Sequence, residues 1–134
     1  MRKVITGVVI ALCLTVLLYA EYKPKKVKLN ALERVVVGML LPKETSFASW
    51  KILNDLKNEL SLSEKEVKAI NMKEAANGQV TANWGAVKIK EITFGEVSEG
   101  WIVKALKELD KKEKLLNEHI SIYKKFIIDS GGKK

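Results

Sequence analysis

The sequence predicts an α+β fold: an N-terminal transmembrane helix, then a small domain of three helices, a β-hairpin plus one further strand, and two C-terminal helices. Three observations carry that prediction. Val4 to Ala20 runs 17 residues without a charge. From Leu29 onward, apolar residues recur every three to four positions, as on one face of a helix. Asn77-Gly78, a dipeptide suited to tight hairpin turns, stands between two stretches in which apolar and polar residues alternate.

At about 1.5 Å per residue the Val4–Ala20 run spans roughly 26 Å. Continuing it to Tyr22 matches the ~30 Å hydrocarbon slab, with Tyr19 and Tyr22 at the interface. A water-soluble helix of this length would show a polar face, and this run shows none. The competing reading is a secretory signal peptide, since Arg2-Lys3 forms a basic start and Ala20 is a small residue at a cleavage position. Against cleavage stand the length of the apolar run, bulky Leu18 three residues before the cut, and the lysines that follow. Lys23, Lys25, Lys26 and Lys28 outweigh Arg2, Lys3 and the α-amino group, which favours a single-pass membrane protein with a cytoplasmic C-terminal domain. With signal cleavage the domain would be secreted or periplasmic instead. Residues 1–20 are therefore expected as an anchor or signal peptide. Residues 21–28 are expected as a basic juxtamembrane linker whose four lysines contact headgroups of membrane lipid, at about 1 kcal/mol each on an anionic leaflet. An equal alternative makes these lysines determinants of topology only.

The globular domain is expected over 29–128. Asn30 caps a first helix whose apolar positions are Leu32, Val35, Val36, Met39 and Leu40. After the Leu41-Pro42 break, Thr45 or Ser46 caps a second, with Phe47, Trp50, Leu53, Leu56 and Leu60 on one face. Ser63 with Glu66 forms a capping box that opens a short third helix, Val67 and Ile70 inward. The hairpin pairs Ile70 and Met72 with Val80, Ala82 and Trp84. A further strand covers Val87 to Phe94, where the inward positions change parity and a bulge near Lys90-Glu91 would reconcile them. Ser98 and Glu99 open a fourth helix with Trp101, Ile102, Ala105, Leu106 and Leu109 as its stripe. Asn117 caps a fifth with Ile120, Tyr123, Phe126 and Ile127, and residues 129–134 form a disordered tail.

The net charge of +8 belongs mostly to the ends of the chain. Eight of the 24 basic residues but only one of the 16 acidic ones lie outside Leu29–Gly132, so the body balances to +1. A basic groove across the fold is not indicated. One Cys and one His exclude a disulfide framework, a cysteine-cluster zinc site and a histidine-pair metal site. His119 reads as a surface or capping residue. Glu64, Glu66, Glu108, Asp110 and Glu113 are interspersed with lysines, as on solvated helix faces, so no acid–base pair stands out. No glycine-rich phosphate loop is present. No catalytic residue, cofactor or metal is expected, and the chain is read as a non-enzyme.

Three helices followed by a hairpin also fits the order of a winged-helix DNA-binding module, in which Lys65, Lys68 and Lys73 would face phosphates. The acids beside those lysines and the neutral body disfavour nucleic acid as a partner. The succession of Leu41-Pro42-Lys43-Glu44, a hairpin ending in Trp84, a charged strand into Phe94, the run Ala105 to Asp110 (ALKELD) and Tyr123 to Phe126 (YKKF) resembles a family of short uncharacterised proteins associated with bacteriophage genomes and viral metagenomes. The resemblance covers about residues 29–128 and implies context alone, with no catalytic or binding residues. The expected role is a membrane-tethered interaction module, an accessory or host-modifying factor of phage origin acting on an unidentified protein partner. Alternatives are the winged-helix regulator and a small exported domain. All three tryptophans fall in the apolar phase of an element, and a buried Trp101 would make Trp101→Ala cost roughly 3–5 kcal/mol.

Overall fold

The computed structural model describes residues 23–129. Its elements are β1 (Lys25–Leu29), α1 (Ala31–Leu40), α2 (Phe47–Leu60), α3 (Glu64–Ile70), β2 (Lys73–Glu74), β3 (Val80–Thr81), a 3-10 turn (Trp84–Ala86), β4 (Lys90–Phe94), α4 (Glu96–Lys111) and α5 (Asn117–Tyr123), which runs on as a π-helical segment (Lys124–Ile128). Five helices and two small two-stranded sheets make it α+β.

The helix starts follow from local chemistry. Asn30 accepts from the Glu33 N–H at 2.8 Å while the Glu33 carboxylate accepts from the Asn30 N–H at 3.0 Å, a reciprocal capping box. Ser46 caps α2, and Ser63 with Glu66 forms a second box on α3. In the hairpin turn Gly78 takes φ +83°, a left-handed conformation that costs glycine nothing. The two strands there are only two residues each, pairing Lys73 with Thr81 and Glu74 with Val80.

The principal sheet joins the first strand of the domain to one some sixty residues later, ahead of the last two helices. Lys25–Leu29, expected as a linker, is an antiparallel strand on β4, with Val27 opposite Ile92 and Lys25 opposite Phe94. Alternation points Val27, Leu29, Ile92 and Phe94 into the core and leaves Lys26, Lys28, Glu91 and Thr93 in water. No bulge is needed to reconcile parity, because β4 begins only at Lys90; Val87 ends the 3-10 turn and Ile89 is exposed. Against the inner sheet face pack Val36 and Val37 of α1, Leu53, Leu56 and Leu60 of α2, Ile102 and Leu106 of α4, and Ile122 and Phe126 of the last helix. Phe94 and Phe126 meet edge to face at 5.0 Å. A smaller cluster of Ala31, Ile70 and Val87 carries the half-buried Trp84.

The membrane-spanning part of the expected fold is corrected. Among the described residues no helix is long and apolar enough to cross a membrane. The longest, α4, has 16 residues and alternates glutamates with lysines, and the most apolar, α1, has 10 residues, about 15 Å or half a hydrocarbon slab, and buries Glu33 and Arg34. The single-pass membrane localisation is accordingly not supported. The Val4–Ala20 run on which it rested, its signal-peptide alternative and most of the expected tail lie outside the described residues.

The inward positions also shift. Trp101 is half-buried at the edge of the core rather than inside it, so the large truncation cost transfers to Phe94, which is fully buried. Phe94→Ala is expected to lower stability by about 3–5 kcal/mol and Trp101→Ala by clearly less. Chemical denaturation of the two variants checks the order.

Candidate functional site

Three helices meet around one buried charge. Arg34 on α1 is 2% exposed and spends its guanidinium on α2 and α3. Its Nε donates to the Leu60 carbonyl at 3.3 Å and its Nη2 to the Ser61 carbonyl at 2.5 Å. These are groups at the C-terminal end of α2, where helix carbonyls lack intrahelical donors and the dipole favours a cation. Nη1 donates to the Glu66 carboxylate at 2.8 Å, with Nη2 on the other oxygen at 3.4 Å. Glu66 also accepts the Ser63 N–H. The Arg34 hydrogen bond first, and that backbone bond second, hold the Glu66 carboxyl at about 2, well below its ordinary 4.5.

On the outer side of this clamp lies a groove of about 360 Å³ between α1, α2 and α3. Its lining is largely apolar, from Val35, Gly38, Leu60, Leu62 and Val67, with Arg34, Ser61 and Lys57 completing it. A Cβ added at Gly38 would meet nothing within 4 Å, so the groove is open at that point. The same face of α1 continues to Met39, 77% exposed. On α2, residues 47, 50, 54 and 57 fall on one stripe at 3.6 residues per turn, so the stripe that reaches the groove at Lys57 leads back to Trp50 and Phe47. Phe47 is 94% exposed and Trp50 56% exposed. Together they leave roughly 300 Å² of aromatic surface in water, and covering it would be worth on the order of 7 kcal/mol at about 25 cal/mol per Å².

Sequence periodicity placed Phe47 and Trp50 with Leu53, Leu56 and Leu60 on a buried face, and Val67 inward; the structure buries only the three leucines of that set. A step of three residues turns about 60° short of a full circle, so Phe47 and Trp50 drift onto the exposed side shared with residues 54 and 57 while Leu53, Leu56 and Leu60 face the core. On α1 the sequence points to Leu32, Val35, Val36, Met39 and Leu40; Val36 is buried and Leu32 and Leu40 pack against the core, but Val35 and Met39 are exposed, and Ala31, Glu33, Arg34 and Val37 complete the buried face. Nothing local marks Arg34 for burial, since its partners lie 26 to 32 residues away. The Ser63–Glu66 capping box was the one available signal, as it fixes a carboxylate beside the end of α2.

The four lysines expected at headgroups are divided by β1. Lys26 and Lys28 lie on the exposed sheet face and Lys23 is exposed before it. Lys25 donates to the Lys125 carbonyl at 2.6 Å and sits over the Phe126 ring at 5.3 Å, so it belongs to the packing of the C-terminal helix. Lys125 returns the contact through the Lys28 carbonyl and the Glu33 carboxylate, at 2.7 and 2.9 Å. Burial pushes the Glu33 carboxyl up, but the Asn30 N–H, Lys125 and Ser121 together bring it below its ordinary value. Lys65 and Lys68 lie one turn apart on α3, and Lys73 opens β2. Lys65 flanks a hollow of about 330 Å³ with Glu66 and Lys88, Lys73 lines another of about 490 Å³ with Asn71 and Asn83, and Lys68 lines neither. His119 accepts the Leu116 N–H through Nδ1 at 2.9 Å, a capping contact. Among the described residues no group of three or more His, Cys, Asp or Glu could hold a metal.

Removing the Arg34 side chain strips two carbonyls and one carboxylate of their donor inside the fold. Arg34→Ala is expected to cost about 3–5 kcal/mol in denaturant unfolding. Glu66 supplies the pH dependence: its folded pKa lies below its unfolded one, so its contribution is complete above about 4.5 and fades as pH falls toward 2. The melting-temperature gap between the parent and Glu66→Gln should hold constant from pH 5 to 8 and narrow below pH 4.5. Compared with known proteins, the chain matches no family model, no curated protein and no solved structure.

Proposed function

We propose that this domain is a non-enzymatic protein-interaction module that binds through the α1–α2 face. The observation that carries the reading is the pair of aromatics, Phe47 and Trp50, standing in water on the stripe of α2 that reaches an open apolar groove at Lys57. Monomeric proteins seldom leave such surface uncovered without using it, and aromatic residues dominate the energetics of protein interfaces. The groove walls are fixed before any partner arrives: α1, α2 and α3 are tied together by Arg34, so little ordering cost falls on binding. In the phage setting that the sequence resemblance implies, such a module serves as an accessory or host-modifying factor. The nucleic-acid reading has no comparable support, because Glu64 and Glu66 stand among its three lysines and Glu74 follows Lys73.

Site-specific photocrosslinking tests this. A benzoylphenylalanine at position 47 of the full chain, expressed in bacterial cells, should give discrete protein adducts that disappear with Trp50→Ser. The same probe at the exposed Lys107 on α4 should give none. Equal labelling from both positions, or adducts indifferent to Trp50, would contradict the assignment.

A further inference from the structure

We infer that the occupant of the α1–α2–α3 groove is a short amphipathic helix carrying an acidic side chain; this rests on the reading of that face as a protein-binding surface. Dimensions come first. The stripe from Phe47 to Lys57 spans ten residues of α2, about 15 Å. That length accepts about three turns of a second helix, whose apolar side chains at i, i+3 or i+4, and i+7 would meet Phe47, Trp50 and then the groove, a recurring mode of peptide recognition. An extended strand has no place to add, because the groove is walled by helices and offers no sheet edge.

Charge then selects among helices. Two cations line the groove. Arg34 is neutralised by Glu66, whereas Lys57 makes no side-chain hydrogen bond or ion pair among the described residues. Neighbouring lysines of α2 and β4 are engaged: Lys51 pairs with Asp55 at 2.8 Å, and Lys90 donates to the Glu59 carbonyl at 2.9 Å. Lys57 is thus an exposed, unspent cation at the rim, and among helices that could cover the groove it favours one that brings a carboxylate to it. Gly38 completes the fit. With no side chain and no neighbour within 4 Å of where one would begin, it lets the partner's backbone approach α1 closely.

The test uses a display library of random 16-residue peptides selected against the full 134-residue chain and counter-selected against its Gly38→Leu variant. That substitution extends a side chain from a position where a Cβ has free space and replaces a poor helix former with a good one, and an unfolding midpoint at or above the parent's separates lost binding from lost folding. The expected result is enrichment of peptides with apolar residues at i, i+3 or i+4, and i+7 and an Asp or Glu among them. As synthetic peptides they should bind the parent, lose about fivefold in affinity to Lys57→Glu, and lose about 30-fold to Trp50→Ala. A matched peptide with Lys in place of the acid should prefer Lys57→Glu. The proposal is overturned if the selected peptides are basic, proline-rich or equally bound by Gly38→Leu, or if nothing is enriched. It is also overturned if crosslinks from position 47 lead to a second copy or to residues 4–20 of the same chain. Failure of the peptide selection alongside partner adducts from position 47 would remove the helical, acidic occupant and keep the interaction face.

Discussion

A single guanidinium organises this fold. Arg34 is enclosed by three helices, and each of its bonds answers a need that the chain creates elsewhere: the C-terminal carbonyls of α2 lack donors, and the capping carboxylate of α3 lacks a counterion. Burying a charge is expensive unless every polar atom is matched, and here the matches come from helix ends that would themselves be costly if left bare. The cation and the carbonyls therefore stabilise each other. The geometric consequence outweighs the energetic one, since α1, the end of α2 and the start of α3 are held in one arrangement and the groove on their outer side keeps its shape.

Much of the local structure was legible in the sequence because its causes are local. Asn30, Ser46 and Ser63 cap their helices with side chains that reach only three residues ahead, and Gly78 occupies the left-handed corner of a turn. What escaped reading depends on partners distant along the chain. Glu33 and Arg34 look like a solvated pair at the start of a helix, yet both are buried, one facing Lys125 at a separation of 92 residues and the other facing Glu66 at 32. The strand character of Lys25–Leu29 was hidden for the same reason: a lysine-rich alternation becomes a strand only when β4 supplies the hydrogen bonds and the core covers Val27 and Leu29.

The candidate site was illegible for a different reason. Helical periodicity identifies apolar positions but not which part of a wide apolar arc the protein body covers. On α2 the apolar positions from Phe47 to Leu60 wind across two sides of the helix, and the core covers only the side of Leu53, Leu56 and Leu60. Val35, Met39 and Val67 obey the same logic, apolar by pattern and exposed in the fold. The excess of apolar residues over what the core can hold is visible only once the core has been drawn. Lysines once assigned to a lipid surface likewise divide in the fold, Lys25 into the packing over Phe126 and Lys26 and Lys28 onto an outer sheet face.

The link from charge burial to function runs through rigidity: a groove preformed by Arg34 can display Phe47 and Trp50 without collapsing over them. Solvent exchange of the Arg34 Nε–H, followed by nitrogen-edited NMR on the full chain, reads that enclosure directly. An enclosed donor bonded to the Leu60 carbonyl gives a side-chain resonance that persists at neutral pH and exchanges orders of magnitude more slowly than free arginine. Exchange at the free rate would place Arg34 in water, undo the three-helix clamp and remove the physical basis for a preformed binding face.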